Sequence, residues 1–145
     1  MSMQHSLQNI YQRKLAVSAA FIVIFSLLLS KFSYPDLAYF AGVNHMYFFV
    51  IVAISIYGIW ASLLSDMFAS IISDRTRIPE VYLAALLHIV AGLVFGLGTL
   101  AIAFSFFLLD RFFMKYINVS WSVAVISFGI VVLIFALNFT NYFPS

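Results

Sequence analysis

Uninterrupted apolar runs are the feature that most restricts how this chain can fold. Segments 15–30, 46–65, 81–109 and 119–138 contain no Asp, Glu, Lys or Arg, and a helix needs about 20 apolar residues to cross a bilayer. Only 8% of the 145 residues are charged, whereas soluble domains carry roughly 25%. A water-soluble fold could not cover so much apolar surface, so the sequence predicts a helical membrane protein.

The apolar runs predict an all-α polytopic membrane protein with four transmembrane helices in an antiparallel bundle. The spans are expected at about residues 15–34, 46–72, 79–109 and 119–139, within one membrane domain that covers residues 1–145. The third run is longer than the hydrocarbon core requires, which indicates tilt or a bend. Three glycines are the expected places for that bend: Gly92, Gly96 and Gly98.

The distribution of basic residues predicts the orientation of these four spans. Four basic residues fall on the side of the two termini: Arg13, Lys14, Arg75 and Arg77. Three fall on the opposite side: Lys31, Arg111 and Lys115. Because basic residues concentrate in cytoplasmic loops, this count favours a multi-pass plasma-membrane protein with both termini in the cytoplasm.

Composition also argues against several functional classes. Cysteine is absent, which excludes disulfides, thiolate metal ligands and a cysteine nucleophile. The basic residues are scattered, so we expect no nucleic-acid partner. The histidines and carboxylates do not form a metal-ligand pattern, and spacing alone places no serine beside a histidine. We therefore expect no metal, no cofactor and no enzymatic activity.

Two stripes of small and polar residues mark the candidate site. Along the second run, one stripe recurs at spacings of three or four: Ser55, Gly58, Ser62, Asp66, Ala69 and Ser73. Along the third run, the other recurs at a constant spacing of four: Ala84, His88, Gly92 and Gly96. Such positions share one helix face, and small residues let helices approach closely in lipid. We expect these two faces to pack against each other.

Asp66 and His88 are the candidate intramembrane polar pair. They lie equally far from the turn near Arg77, so antiparallel packing would place both at one depth. A direct or water-bridged contact is predicted, because a polar group in a membrane needs a partner. Two alternatives stay open: Arg75 or Arg77 folds back to Asp66, or Asp66 marks the membrane boundary.

Three stretches of the chain resemble a known group of proteins. They are "IYGIWASLLSD", "LLHIVAGLVFGLG" and "FSFFLLDRFF", all within residues 47–113. The matching residues are Tyr57, Gly58, Ser62, Asp66, His88, Gly92, Gly96 and Asp110. In these, the chain is similar to small four-helix integral membrane proteins of Bacillus and its relatives. The resemblance implies a multi-pass plasma-membrane location and a four-helix topology, but no particular activity.

Two functional classes follow from these patterns. The first is a non-catalytic interaction or regulatory subunit of a membrane complex, such as an immunity or defence component. The second is a small homo-oligomeric channel or transporter for protons or small ions or solutes, with the polar stripe lining a wet path between copies. The expected partners are the lipid bilayer and either another membrane protein or further copies of the chain. One carboxylate and one histidine are a sparse lining, which favours the first class.

Overall fold

The structure is a computed structural model in which almost every described residue belongs to a helix. It describes the backbone of residues 3–33, 35–94 and 96–142 and, within these ranges, the side chains of residues 9–33, 35–94 and 98–137. The chain ends, 1–2 and 143–145, and the last residue of the first predicted span, residue 34, lie outside the described residues. No strand occurs in the described ranges, which confirms the all-α class.

Six α-helices and one π turn follow one another along the described chain. They are α1 (Met3–Ser33), α2 (Tyr39–Ala53), the π turn (Ile54–Gly58), α3 (Ile59–Thr76), α4 (Glu80–Leu93), α5 (Leu97–Tyr116) and α6 (Trp121–Tyr142). The second and third helices join through the π turn into one continuous helix, Tyr39–Thr76, which we call the long helix. α4 starts directly after Pro79 with Glu80 in its first turn, where an acid meets the positive end of the helix dipole.

Two helices are long and apolar enough to cross a membrane. They are residues Asn9–Ser33 of α1 and the long helix, Tyr39–Thr76. Two further apolar segments, Glu80–Leu93 and Trp121–Leu137, are shorter within the described residues. The two long segments are what the structure offers in favour of a membrane location, and the four-span arrangement stays a prediction.

The predicted third span, 79–109, is wrong as a single helix, because the chain reverses direction within it. Gly96 precedes α5 with a φ of 105°, a backbone conformation that residues with a Cβ rarely adopt. After the reversal, α5 packs antiparallel along α4. A Cβ on Gly92 would lie 2.8 Å from the Cα of Leu100, so the two backbones are in close contact at this glycine. The segment is a helical hairpin.

The close contact at Gly92 predicts a specific loss of stability. Gly92→Ala should lower the free energy of unfolding by about 1–3 kcal/mol, because the added methyl group overpacks the hairpin. Gly129→Ala on α6 is the control, since a Cβ there meets no atom within 4 Å. It should be neutral or stabilising, because alanine favours helix more than glycine does. Unfolding of both variants in detergent, followed by circular dichroism, tests this. Equal losses would contradict the close contact.

The long helix and α5 both run antiparallel to α1. The Tyr39 hydroxyl bonds the Leu27 carbonyl oxygen near one end of the bundle, and Lys14 bonds Ser62 nearer the other. We call the end near Tyr39 the upper end, where residues 35–38 lie. The lower end carries the connections 77–79 and 117–120. α6 starts at the lower end and runs upward beside α1, where the Tyr47 hydroxyl bonds the Val131 carbonyl oxygen. The described start of α1 and end of α6 therefore lie at opposite ends.

The hairpin of α4 and α5 is shorter than the helices beside it. Lys14 contacts both Ser62 and Asp110, so these two residues lie at one level. From Asp110 to Leu97, α5 rises about 20 Å, whereas the long helix rises about 35 Å from Ser62 to Tyr39. Val94 and Gly96, which flank the reversal, therefore lie well below the upper end, and of the described helices only α1, α2 and α6 reach that end.

Apolar side chains fill the bundle above this level. The buried core cluster draws on α1, the long helix, α5 and α6: Val17, Ala19, Phe21, Ile22, Val50, Ile51, Ile54, Phe106 and Val131. The rings of Phe21 and Phe106 meet edge to face, with centroids 5.4 Å apart. Burial of these side chains is the main favourable packing term that joins α1 to its neighbours in this part of the bundle.

Candidate functional site

Five charged side chains from three helices meet in the lower part of the bundle. They are Arg13 and Lys14 of α1, Asp66 of α3, and Asp110 and Arg111 of α5. We call this set the charge cluster. Its three cations and two anions give a formal charge of +1. The side chains of Lys14 and Asp110 are 1% and 0% exposed, so the cluster lies inside the protein.

Lys14 lies at the centre of the charge cluster. Its ammonium nitrogen is 2.7 Å from Oδ2 of Asp66, 2.8 Å from Oδ2 of Asp110 and 2.6 Å from Oγ of Ser62. An ammonium group has three N–H donors, and three acceptors surround this one. The Lys14 charge is therefore fully paired, as a buried charge must be to avoid a large desolvation penalty.

Arg13 and Arg111 complete the pairing of the two carboxylates. Arg13 donates from Nε to Oδ1 of Asp110 at 2.8 Å and from Nη2 to Oδ2 of Asp66 at 3.3 Å. Arg111 donates from Nη2 to Oδ1 of Asp66 at 2.5 Å. Its guanidinium lies 5.1 Å from the centre of the Phe107 ring, a cation–π distance. Every carboxylate oxygen of the charge cluster thus accepts from a cation.

Ser62 connects the charge cluster to His88. Nε2 of His88 lies 3.0 Å from the Ser62 hydroxyl, and Nδ1 lies 2.8 Å from the carbonyl oxygen of Ala84. Because a carbonyl only accepts, Nδ1 is assigned the proton, and Nε2 of the neutral ring accepts from Ser62. The hydrogen bonds therefore run from Lys14 through Ser62 to His88 and end on the backbone of α4.

Asp66 and His88, the predicted pair, both lie in the lower part of the bundle, but His88 is level with Ser62, one turn of α3 away from Asp66. The hydrogen-bonded partner of the His88 ring on α3 is Ser62, and Lys14 connects Ser62 to Asp66. The prediction considered only α3 and α4, and α1 supplies the lysine that lies between them. A functional role for the pair stays a prediction.

The partners of Asp66 come from α1 and α5 rather than from the end of its own helix. Among the described residues, its ion pairs are with Arg13, Lys14 and Arg111, and neither Arg75 nor Arg77 pairs with it. Both of those arginines are exposed at the end of α3.

The two predicted stripes meet only in their lower halves. Ala69 and Ala84 pack together with Phe107, and Ser62 meets His88 one turn of α4 further along. This close approach of α3 and α4 is the one predicted from the small residues.

The upper halves of the stripes have other neighbours. Gly92 packs against α5, and Gly96 lies in the turn, so this G-x-x-x-G pattern serves the hairpin. Ser55 and Gly58 belong to the π turn and are half-buried.

Sequence reasoning treated Arg13 and Lys14 as topology signals and missed their part in the site. The sequence did contain a signal for this role, a series of residues at a spacing of four along α1. Each residue of the series is at most 1% exposed: Lys14, Ser18, Ile22, Ser26 and Ser30. A lysine in line with small residues on one face indicates an inward-pointing cation. Asp110 gave a weaker signal as an acid directly after the apolar run that ends at Leu109.

Comparisons with known proteins add no relative to this picture. No protein-family model, curated protein or solved structure matches the chain. The resemblance to the Bacillus membrane proteins therefore stays a prediction.

The charge cluster can hold three helices in register, because its charged groups pair between α1, α3 and α5. All four carboxylate oxygens accept from a cation, and the buried donor left without a partner inside the cluster is Nε of Arg111. The described residues contain no group of three His, Asp or Glu side chains that could hold a metal ion. The cluster is a buried ion network with a formal charge of +1.

Proposed function

We propose that this chain is a multi-pass plasma-membrane protein that acts as a non-catalytic interaction or regulatory subunit. The observation that carries the proposal is the mutual pairing of the charge cluster. A site that carries protons or cations needs a carboxylate or amine that is free to bind them, and both carboxylates and the amine of the charge cluster are paired. Here the ions are used to hold α1, α3 and α5 together, so recognition is left to the outer faces of the bundle.

The surroundings of the charge cluster support this function over a homo-oligomeric channel. A path between copies requires its polar lining at the outer surface, but Ser62, Asp66 and His88 are at most 5% exposed within one chain. A path through one copy would have to cross the apolar core around Phe21 and Ile54, where Ile22 separates the buried hydroxyls of Ser18 and Ser26.

The positions of the basic residues support a topology different from the four-span prediction. Six of the seven Lys and Arg lie in the lower part of the bundle: Arg13, Lys14, Arg75, Arg77, Arg111 and Lys115. Lys31 is at the upper end, where it bonds the Pro35 carbonyl oxygen. The positive-inside rule then places the lower end in the cytoplasm.

In this topology α1, the long helix and α6 span the membrane, and the hairpin of α4 and α5 enters and leaves on the cytoplasmic side. The described start of α1 then faces the cytoplasm and the end of α6 faces outward. A helix of 14 residues such as α4 is of a length typical of re-entrant segments. Along the hairpin, α4 packs against α3 and α5 packs against α1, whereas the described residues at its turn, Val94 and Gly96, are exposed.

Proton and ion flux into vesicles tests the choice between the two functional classes. Wild-type protein in phospholipid vesicles is expected to give no flux above protein-free vesicles, because no polar path crosses the core. Lys14→Met and Asp66→Asn should likewise give none. Wild-type flux that either variant abolishes, while both remain folded, would contradict the proposal and establish the channel alternative.

Photo-crosslinking in native membranes tests the interaction role directly. A photoreactive amino acid is placed on two different outer faces, at Trp60 of α3 and at Ile126 of α6, each 61% exposed. The proposal expects a discrete adduct with a second protein from one face and lipid adducts from the other. Lipid adducts alone from both faces would contradict an interaction role, and adducts only with further copies would favour self-assembly.

A further inference from the structure

A groove between α1 and α6 is left unfilled by the chain. It has a volume of about 520 Å³, and its lining is apolar except for Asn118 and Ser127. Its wall on α1 contains Ala16, Ala19 and Ala20, whose small side chains leave the space. The opposite wall runs along α6 from Val123 to Ile134, and the foot of the groove lies at the connection between α5 and α6.

The groove matches a lipid acyl chain in shape and chemistry. Its wall on α6, from Val123 to Ile134, is about 17 Å long at 1.5 Å rise per residue, so the groove is elongated along the bundle axis. Its lining is apolar except for Asn118 and Ser127. A single hydrocarbon chain that lies parallel to the helices would contact this wall along its length.

The amide of Asn118 lines the foot of the groove, and basic residues lie near it in the lower part of the bundle. Arg13 lies one turn below Ala16 on the same face of α1, and helical side chains point towards the N-terminus, which here is downward. Its Nε and Nη2 bond the two carboxylates of the charge cluster, whereas Nη1 bonds no other described residue. Asn118 contributes its amide. Lys115, exposed on α5, forms no ion pair within the described part of the chain.

We infer that this groove is a binding site for an anionic phospholipid. One acyl chain lies between α1 and α6, and the headgroup phosphate lies at the foot, next to Arg13 and Asn118. The positive charge of the lower part of the bundle attracts an anionic headgroup, and such lipids are abundant in the cytoplasmic leaflet. The inference rests on the membrane insertion proposed above and adds a specific ligand to it.

The two tryptophans of the chain are natural reporters for this site. Trp121 lies between Asn118 and Val123 in sequence, beside the foot of the groove, whereas Trp60 lies on an exposed face of α3. Trp60→Phe leaves only the groove reporter, and Trp121→Phe leaves only the distant one. Each full-length variant is placed in phosphatidylcholine vesicles that contain either brominated phosphatidylglycerol or brominated phosphatidylcholine, whose bromines quench nearby tryptophan fluorescence.

At Trp121, brominated phosphatidylglycerol is expected to quench with about fivefold higher apparent affinity than brominated phosphatidylcholine, the ratio that one basic group near an anionic surface provides. At Trp60 the two lipids should quench alike. Ala20→Phe fills the groove and should remove the preference at Trp121. Val125→Phe adds a ring to an exposed position of α6 outside the groove and should retain it.

A second variant tests the lipid preference without changing the packing in the groove. Asn118→Asp leaves the groove open but places a negative charge at its foot, so it should also remove the preference. Thermal unfolding of each variant in detergent confirms that the fold is retained. A preference that persists in both Ala20→Phe and Asn118→Asp would overturn the site, as would the same preference at Trp60.

The result also separates this inference from the membrane proposal. Quenching of Trp60 by both lipids with no preference at Trp121 would overturn the lipid site alone. No quenching of either tryptophan by either lipid would mean that the chain does not insert, and both proposals would fail together.

Discussion

Asp110→Ala is expected to lower the free energy of unfolding by about 3–5 kcal/mol, the largest loss of stability that the structure predicts for any single substitution. Asp110 has no exposed surface, and it pairs with both Lys14 and Arg13. Its removal raises the formal charge of the cluster from +1 to +2 in a buried setting. The two cations would then compete for Asp66, which already pairs with Arg111.

The measurement is unfolding of wild type and variant in mixed detergent, followed by circular dichroism. Asp74→Ala is the matched control, because Asp74 is an exposed carboxylate near the end of α3. Removing it should change the free energy of unfolding by no more than about 0.5 kcal/mol. Equal effects of the two substitutions would show that the charge cluster contributes nothing specific to the fold.

A double variant tests whether the pairing itself is responsible. Lys14→Met alone should also lose about 3–5 kcal/mol, because it removes the cation that joins Asp66 to Asp110 and leaves both carboxylates buried. Lys14→Met combined with Asp110→Ala restores a formal charge of +1. The double variant should therefore lose markedly less than the sum of the single variants. Strictly additive losses would contradict a direct coupling of the two residues.

Cysteine labelling is expected to place position 120 on the same side of the membrane as position 76. This is the second prediction with a large effect, because each position either reacts or does not. The chain has no natural cysteine, so single cysteines can be introduced without a background. Four exposed or terminal positions serve as reporters: Asp36, Thr76, Ser120 and Tyr142. The hairpin returns the chain to the lower end, so Ser120→Cys and Thr76→Cys should react with a membrane-impermeant maleimide only after intact cells are permeabilised.

The other two positions complete the topology test. Asp36→Cys and Tyr142→Cys should react in intact cells, because residue 36 and the end of α6 lie at the upper end. The four-span prediction pairs the positions differently, with 36 and 120 on one side and 76 and 142 on the other. That pairing would contradict the re-entrant hairpin whichever side proves to be cytoplasmic.

The hairpin explains why apolar runs alone give an incomplete topology. A run of 29 residues from Val81 to Leu109 reads as one tilted span, and the glycines within it predict only that the helix bends. Whether the bend reaches full reversal depends on the contact between Gly92 and Leu100, which lies between two parts of the same run. Hydropathy is the same for a straight span and for two short helices that pack against each other in the same surroundings.

One part of the site was predictable, namely the part that lies between two helices consecutive in the sequence. Spacing from one short turn predicted that Asp66 and His88 lie on facing parts of α3 and α4, and His88 contacts Ser62, one turn from Asp66. The cations come from α1, about 50 residues earlier, and from α5, beyond the reversal. No local sequence pattern indicates which of several acids a basic residue at the end of a span will pair with. The pairing of Lys14 with Asp66 and Asp110 is therefore visible only in the assembled bundle.

The short hairpin makes the cross-section of the protein unequal along its length. At the level of the charge cluster, α1, α3, α4, α5 and the beginning of α6 lie side by side, whereas only α1, α2 and α6 continue to the upper end. In the proposed orientation each copy displaces more lipid from the cytoplasmic leaflet than from the outer one. The molecule is then a wedge, and it fits best where the cytoplasmic face of the membrane is convex. The geometry of one glycine turn would thereby couple this protein to membrane curvature.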